Sequence, residues 1–376
     1  MLPTPWAQRV PWGMLLAALA LIVLGWLGVA RSEELEDGSG AYLRQQIVWS
    51  LLAGAVCWGM TLPNYRLFTR YSYLAFAAAI ALLVAVYFFP TVHGTHRWIR
   101  FGRVGLQPSE FAKLALVLAL ARYLTWTENY RRLRGLMMPV ALAIAPLLLV
   151  LREPDLGTSL VFLPVLFAML YAAGARKSHL AALAGCGVLL LPALWTQMSG
   201  EQKSRVTALF EQTSPDNAPS DDGYHLHQAK QVLALGGVLG SALAGELVDD
   251  RAVYQLPEDH TDFIFIILLE RFGWFGAIAV LGLASVLVWQ ALAIAEATRE
   301  PCGRLIAIGI ATLFATQVFI NTAMTVGLLP VTGLSLPLVS YGGSGLLSNA
   351  LCLGLLVNIA RRPGFDVTNA PFRFAT

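Results

Sequence analysis

A carboxylate, Asp262, sits in the pentad His260-Thr261-Asp262-Phe263-Ile264, where a long polar stretch meets a long apolar run. An acid at the edge of hydrocarbon is costly to hold and marks a functional position. A carboxylate in a partly desolvated pocket keeps its proton more tightly than one in water, which suits a general base. The same spacing also fits a plain helix start, with Thr261 as N-cap and an acid favoured by the helix dipole. Glu258, Asp259 and His260 come just before, and Glu270 follows near the same helix face. Such a cluster raises the question of a divalent cation, although consecutive acids do not converge on one ion unaided.

Four other groups carry charge or broken backbone. In Gln107-Pro108-Ser109-Glu110-Phe111-Ala112-Lys113, Glu110 and Lys113 are one helical turn apart and share a face. Two charges at the head of an apolar helix must face the bundle or a wet cavity. They are either an ion pair locking helices together or a cation, Lys113, turned to an anionic substrate group. The run Arg97-Trp98-Ile99-Arg100-Phe101-Gly102-Arg103 sets three arginine forks, which match phosphate oxygens, around an interfacial Trp. Arg152-Glu153-Pro154-Asp155-Leu156-Gly157-Thr158 is a short turn in which Asp155 caps the next helix or adds to an acidic cavity. Residues 329–344 hold several Pro and Gly, so irregular backbone is expected at membrane depth, where it must be buried or line a cavity. Gln317 and Asn321, four apart in the run before it, should face that cavity.

What positions these groups is a set of apolar helices. The chain has 376 residues, 57% hydrophobic and 13% charged, against about 25% charged in soluble domains. Ten candidate spans lie near residues 11–30, 46–62, 72–90, 107–121, 136–151, 158–174, 179–196, 263–294, 305–329 and 343–360. The fourth and fifth fall short of the roughly 20 residues a span needs and should extend into their flanks. The first run lacks a small-residue cleavage site and reads as a span. With the N-terminus inside, the cytoplasmic segments hold 14 of the 26 Lys and Arg, at nearly twice the density of the short outer loops, and 17 of the 23 acids lie outside. Both termini are then cytoplasmic. The net charge of +3 hides this split and gives no reason to expect nucleic acid.

The expected architecture is therefore an all-α polytopic membrane protein of ten helices, a single membrane domain over 1–376. A large extracytoplasmic loop, 197–262, joins helices seven and eight. Its tip, Thr213 to Gly223, reads as flexible, and His225 to Gly245 as an interfacial, partly re-entrant or packed helix weakened by four glycines. Cys57, Cys186, Cys302 and Cys352 avoid the outer loops and zinc-site spacing, so neither disulfides nor thiol chemistry is expected.

Arg97-Trp98-Ile99, Gln107 to Lys113, Pro154 to Thr158, His260 to Phe265 and Leu329-Pro330-Val331-Thr332-Gly333…Pro337…Ser340-Tyr341-Gly342-Gly343 occur in the order of the SEDS family (shape, elongation, division and sporulation), which the chain resembles from about Trp12 to Arg362. The resemblance implies ten spans in the bacterial cytoplasmic membrane. It implies a peptidoglycan glycosyltransferase that polymerises lipid II at the outer face, with Asp262 as the catalytic aspartate and Arg97, Lys113, Glu110 and Asp155 as substrate-binding positions. It further implies a class B penicillin-binding protein, a transpeptidase, as partner, and dependence on a divalent cation, Mg²⁺ or Mn²⁺. The short termini are more like the elongation member than the division member. In one place the chain departs from the family: the glycine-rich stretch before the pentad, Gly236 to Glu246, lacks the lysine of the family's Gly-Lys-Gly, and Lys230 or Arg251 would have to replace it. A lipid II flippase, or a non-catalytic scaffold for cell-wall enzymes, remains the alternative. A transporter needs polar groups reachable from both sides, whereas Glu110, Lys113, Asp155 and Asp262 all map to the outer half.

Overall fold

The computed structural model describes residues 10–35, 40–90, 96–101, 104–127, 132–210, 222–244 and 260–362. Its helices are α1 (Trp12–Leu35), α2 (Ala41–Thr61), α3 (Tyr65–Arg70), α4 (Ser72–Ala85), α5 (Pro108–Trp126), α6 (Met137–Arg152), α7 (Leu156–Ala173), α8 (Lys177–Gln197), α9 (Gly200–Phe210), α10 (Asp222–Gly236), α11 (Ser241–Ala244), α12 (Ile264–Ala297), α13 (Pro301–Thr325) and α14 (Gly343–Arg361). Ten of them, all but α3, α9, α10 and α11, coincide with the ten expected spans. Seven pass as spans on length and apolarity, and Ser72–Phe88 is apolar but short. The two others, α2 and α5, carry the polar side chains discussed below. The protein is an all-α, multi-pass membrane protein.

Local chemistry sets the helix ends. Pro108 and Pro301 open α5 and α13, where a missing N–H costs nothing. Asp155 caps α7, and Gly174 closes it in the left-handed region (φ 95°). The start of α12 differs from expectation. Phe263 precedes the helix with no side-chain cap, so Thr261 is not its N-cap.

In the bundle, α1 packs along α12, α2 on α14, α4 on α5, and α13 between α12, α7 and α5. In contrast, α8 buries none of its residues. A two-stranded antiparallel hairpin, β1 (Ile99–Phe101) with β2 (Val104–Leu106), leads into α5; the pattern of residues 94–103 gave no sign of strands.

The expected tip at 213–223 lies almost wholly outside the described residues. After it come α10 and α11, joined by Gly237 and Gly240 with positive φ. They dock on α12 where Gly273 (φ 59°) breaks it. A Cβ on Gly240 would fall 2.4 Å from the Gly273 nitrogen, and one on Gly236 would fall 2.5 Å from the Glu270 Cα. The glycines that weaken α10 as a free helix therefore permit close backbone contact.

Candidate functional site

The hairpin loop between α13 and α14, residues 326–342, has no regular structure, yet Thr332, Leu334, Leu336, Leu338, Val339 and Ser340 are buried in it. Irregular backbone survives at this depth because protein groups satisfy it. Asn321 Nδ2 donates to the Leu334 carbonyl at 2.7 Å. Ser340 Oγ accepts from the Leu336 N–H at 2.8 Å. Gln46, buried in the second turn of α2, donates to the Ser340 carbonyl at 3.1 Å and accepts from the Gly342 N–H at 3.3 Å.

The same groups hold the pentad. Tyr341 N–H donates to the His260 carbonyl at 2.9 Å, Ser340 Oγ to that of Thr261 at 2.6 Å, and Asn321 Nδ2 to that of Asp262 at 2.9 Å. Three successive carbonyls are thereby fixed from outside the pentad. This fixing sets the backbone on which the Asp262 side chain stands half-buried.

Gly333 is the meeting point. Its φ is +72°, and a Cβ built there would lie 3.4 Å from Asp262 Oδ2 and 3.6 Å from Arg97 Nη1. The carboxylate and guanidinium thus border one small space. Arg97 does not present the free fork expected of it. Its Nε donates to the Glu153 carbonyl at 2.9 Å and its Nη2 to the Pro154 carbonyl, which leaves the Nη1 side facing Gly333. Arg100 is exposed, and Arg103, Glu258 and Asp259 lie outside the described residues.

The other expected residues reach the same segment but are buried. Asp155 Oδ1 accepts from the Thr158 N–H at 3.0 Å, the cap of α7. Two residues on, Gly157 abuts the hairpin so closely that a Cβ would meet the Leu334 Cβ and the Thr332 carbonyl oxygen at 2.9 Å. Lys113 Nζ donates to Glu110 Oε1 at 2.7 Å in a pair almost closed to solvent. A Cβ on Gly345 would have Glu110 Oε2 at 4.0 Å and Ser335 Oγ at 3.7 Å, so the pair stands behind the hairpin. Ser348 Oγ donates to the Glu110 carbonyl at 2.8 Å, and Ser344 Oγ links to Gln107 and Gly105.

Glu270 belongs elsewhere. It takes a bidentate pair from Arg31, at 2.9 and 3.1 Å, and does not pair with its neighbour Arg271. Lys230 is exposed on α10, and Arg251 is outside the described residues. An apolar groove of about 490 Å³ begins one turn beyond Asp262 and runs along α12 and α13, past Phe265, Leu269, Gly273, Trp274 and Phe319.

Residue type alone pointed to neither Glu153 nor Gln46. Glu153 is fully buried and neither of its oxygens has a hydrogen-bond partner. Burial, with Asp155 nearby, pushes its carboxyl up to about 8 against the pull of Arg97. Gln46 heads the expected span 46–62 directly after Arg44 and Gln45, so its polarity did not stand out. Among the described residues no three His, Cys, Asp or Glu come together as a metal-binding group.

A family model described as a cell cycle protein, FtsW/RodA/SpoVE, matches residues 9–363. The chain belongs to the FtsW/RodA/SpoVE (SEDS) family. Among the relatives of this SEDS protein, a probable peptidoglycan glycosyltransferase FtsW from Trichlorobacter lovleyi is 34% identical over 88% of the chain and 86% of the relative. The stage V sporulation protein E of Bacillus subtilis is 30% identical over 93% and 94%. The crystal structure of Thermus thermophilus RodA, a rod shape determining protein, superposes with a TM-score of 0.70 at 26% identity, covering 94% of this chain and 98% of that one. A chain from a peptidoglycan synthase complex, described for its structural coordination of polymerization and crosslinking, superposes at 0.79 with 27% identity over the same shares.

Proposed function

We propose that this protein is a peptidoglycan glycosyltransferase that polymerises lipid II at the outer face of the bacterial cytoplasmic membrane, with Asp262 as the catalytic base. The observation that carries the reading is the shared border of Asp262 Oδ2 and Arg97 Nη1 at Gly333. Base and cation stand side by side at one end of the bundle.

Asp262 takes the proton of the acceptor sugar's 4-hydroxyl as that oxygen attacks the anomeric carbon of the donor. The bond from that carbon to the pyrophosphate oxygen breaks, and its electron pair leaves with undecaprenyl pyrophosphate. The leaving group is already a good one, so no second carboxylic acid is needed, unlike in glycoside hydrolysis. Arg97 Nη1 offers positive charge where the departing pyrophosphate develops negative charge. General-base help is worth roughly 10²–10⁴-fold. Glu110, Lys113 and Asp155 serve substrate binding by holding the hairpin and Arg97's turn in place. The apolar groove from Phe265 to Trp274 suits the polyprenyl chain. A Mg²⁺ or Mn²⁺ requirement stays within the proposal, to be read by chelation and add-back. Among the described residues no three His, Cys, Asp or Glu side chains come together, and no step is routed through a metal.

The orientation follows from the Lys and Arg bias, with both termini cytoplasmic. A class B penicillin-binding protein is the proposed partner, supported by the similarity to a chain of a synthase complex that coordinates polymerization with crosslinking. Service in elongation is supported by the similarity to RodA, and division by the relatives named FtsW. A flippase is disfavoured because Glu110, Lys113, Asp155 and Asp262 all crowd one hairpin at one end of the bundle. The deciding experiment is a gel assay with lipid II and the purified protein, alone and with its transpeptidase. Polymer from the native chain and none from folded Asp262→Ala is the expected result. Full activity in that variant would end the assignment.

A further inference from the structure

Tyr42, His260 and Tyr341 come from three separate segments: the start of α2, the turn before α12 and the end of the hairpin. Their rings meet at His260, two residues before Asp262 in the chain. Tyr42 and His260 stack with centroids 4.6 Å apart and planes 19° from parallel. Tyr341 stands edge-on to both, at 5.2 Å and 73° from Tyr42 and 5.4 Å and 67° from His260. Main-chain bonds fix the three from below. Tyr341 N–H donates to the His260 carbonyl at 2.9 Å, and the N–H groups of Tyr42 and Leu43 donate to the two Glu33 oxygens at 2.8 and 3.1 Å.

A cluster serving only the core would be closed to solvent. Here Tyr42 is 40% exposed, and His260 and Tyr341 are half-buried. His260 covers one face of Tyr42 and Tyr341 stands beside the stacked pair, so neither of these rings covers the other face of Tyr42. An aromatic face is a negative surface with few rotamers to lose on binding. The C–H bonds on one face of a pyranose ring carry the complementary partial charge.

We propose that Tyr42, backed by His260 and braced by Tyr341, is a saccharide platform on which a sugar ring of the growing glycan strand lies while its end is presented to Asp262. The choice of sugar rests on the glycosyltransferase reading; the stacking can be measured without turnover. Face-on stacking suits a strand that must advance, because it tolerates displacement along the ring plane better than a set of directed hydrogen bonds.

The test uses the full chain in nanodiscs and, as probe, a soluble tetrasaccharide of alternating N-acetylglucosamine and N-acetylmuramic acid, with binding read by calorimetry. Tyr42→Leu keeps apolar bulk but removes the π face, and Tyr42→Trp keeps the face. The native chain and Tyr42→Trp are expected to bind, and Tyr42→Leu to bind roughly tenfold more weakly, the size of loss that one aromatic-face contact supplies. With lipid II, Tyr42→Leu should raise KM with little change in kcat and yield shorter strands. Equal tetrasaccharide binding by the native chain and Tyr42→Leu, or no binding by the native chain, overturns the platform. If polymerisation is intact in either case, the glycosyltransferase reading survives its loss. Conversely, if Tyr42→Leu loses the tetrasaccharide while neither the native chain nor Tyr42→Trp polymerises lipid II, the platform stands and the glycosyltransferase reading falls.

Discussion

Asn321 holds Asp262 by its backbone: one amide nitrogen donates at 2.9 Å to the Asp262 carbonyl and at 2.7 Å to the Leu334 carbonyl. The base is thereby tied to the hairpin that carries Gly333. In Asn321→Ala both carbonyls lose their donor, at about 1–3 kcal/mol each if left dry. A displacement of about 1 Å near reacting atoms can cost about 10²-fold in rate. We expect kcat for lipid II polymerisation to fall between tenfold and this limit, with KM changed little. An unaltered kcat in a folded variant would mean that Asp262 is positioned by other contacts.

Two glycines should respond differently to the same methyl group. At Gly333 the added carbon has room, with Asp262 Oδ2 at 3.4 Å, but φ is +72° and an L-residue there is strained by about 1–2 kcal/mol. At Gly157 the angle is ordinary, but the carbon would strike Leu334 and Thr332 at 2.9 Å. Gly157→Ala should therefore lower the thermal unfolding midpoint through overpacking, at about 1–3 kcal/mol. Gly333→Ala should lose more activity than stability, because its methyl enters the space shared by base and cation. The reverse ranking in paired melting and activity measurements would contradict this geometry.

The sequence made the ten helices legible because their apolar runs are long and Lys and Arg are rare within them. Asp155 as a cap was legible too, since its partner, Thr158, is three residues away. What was hidden depends on distant partners. The carbonyls of residues 260–262 are fixed by Asn321, Ser340 and Tyr341, which no local pattern links to the pentad, and α12 opens after Phe263 and not after Thr261. Glu270 finds Arg31 across 239 residues in preference to its neighbour Arg271. The hairpin at Ile99 is too short to show a period of two. Arg97 read as a free fork, because its two carbonyl acceptors lie in a turn more than 50 residues on.

Glu153 gives a pH prediction. Its carboxyl moves from 4.5 in the unfolded chain to about 8 in the folded one, chiefly through burial. A raised folded value means that the folded state holds the proton more tightly. The stability linked to the neutral group is complete below 4.5 and is lost as pH rises through about 8. Glu153→Gln keeps the neutral shape, so its melting temperature should depend less on pH than that of the native chain across this window. Parallel curves for the two proteins would show that the side chain is already solvated.

The Glu110–Lys113 pair separates positioning from direct contact with substrate. With side chains 5% and 1% exposed, the two charges have little water to turn to if one is removed. Lys113→Met should cost about 3–5 kcal/mol, most of it the penalty of an isolated Glu110. Adding Glu110→Gln removes that charge and should restore the melting temperature, since a buried pair is often no more stable than neutral groups of similar size. If the pair only holds α5 against the hairpin, polymerase activity should return along with stability. A double variant that melts like the native chain yet stays inactive would instead show that the Lys113 ammonium reaches the lipid-linked phosphate, and would move it from scaffold to binding site.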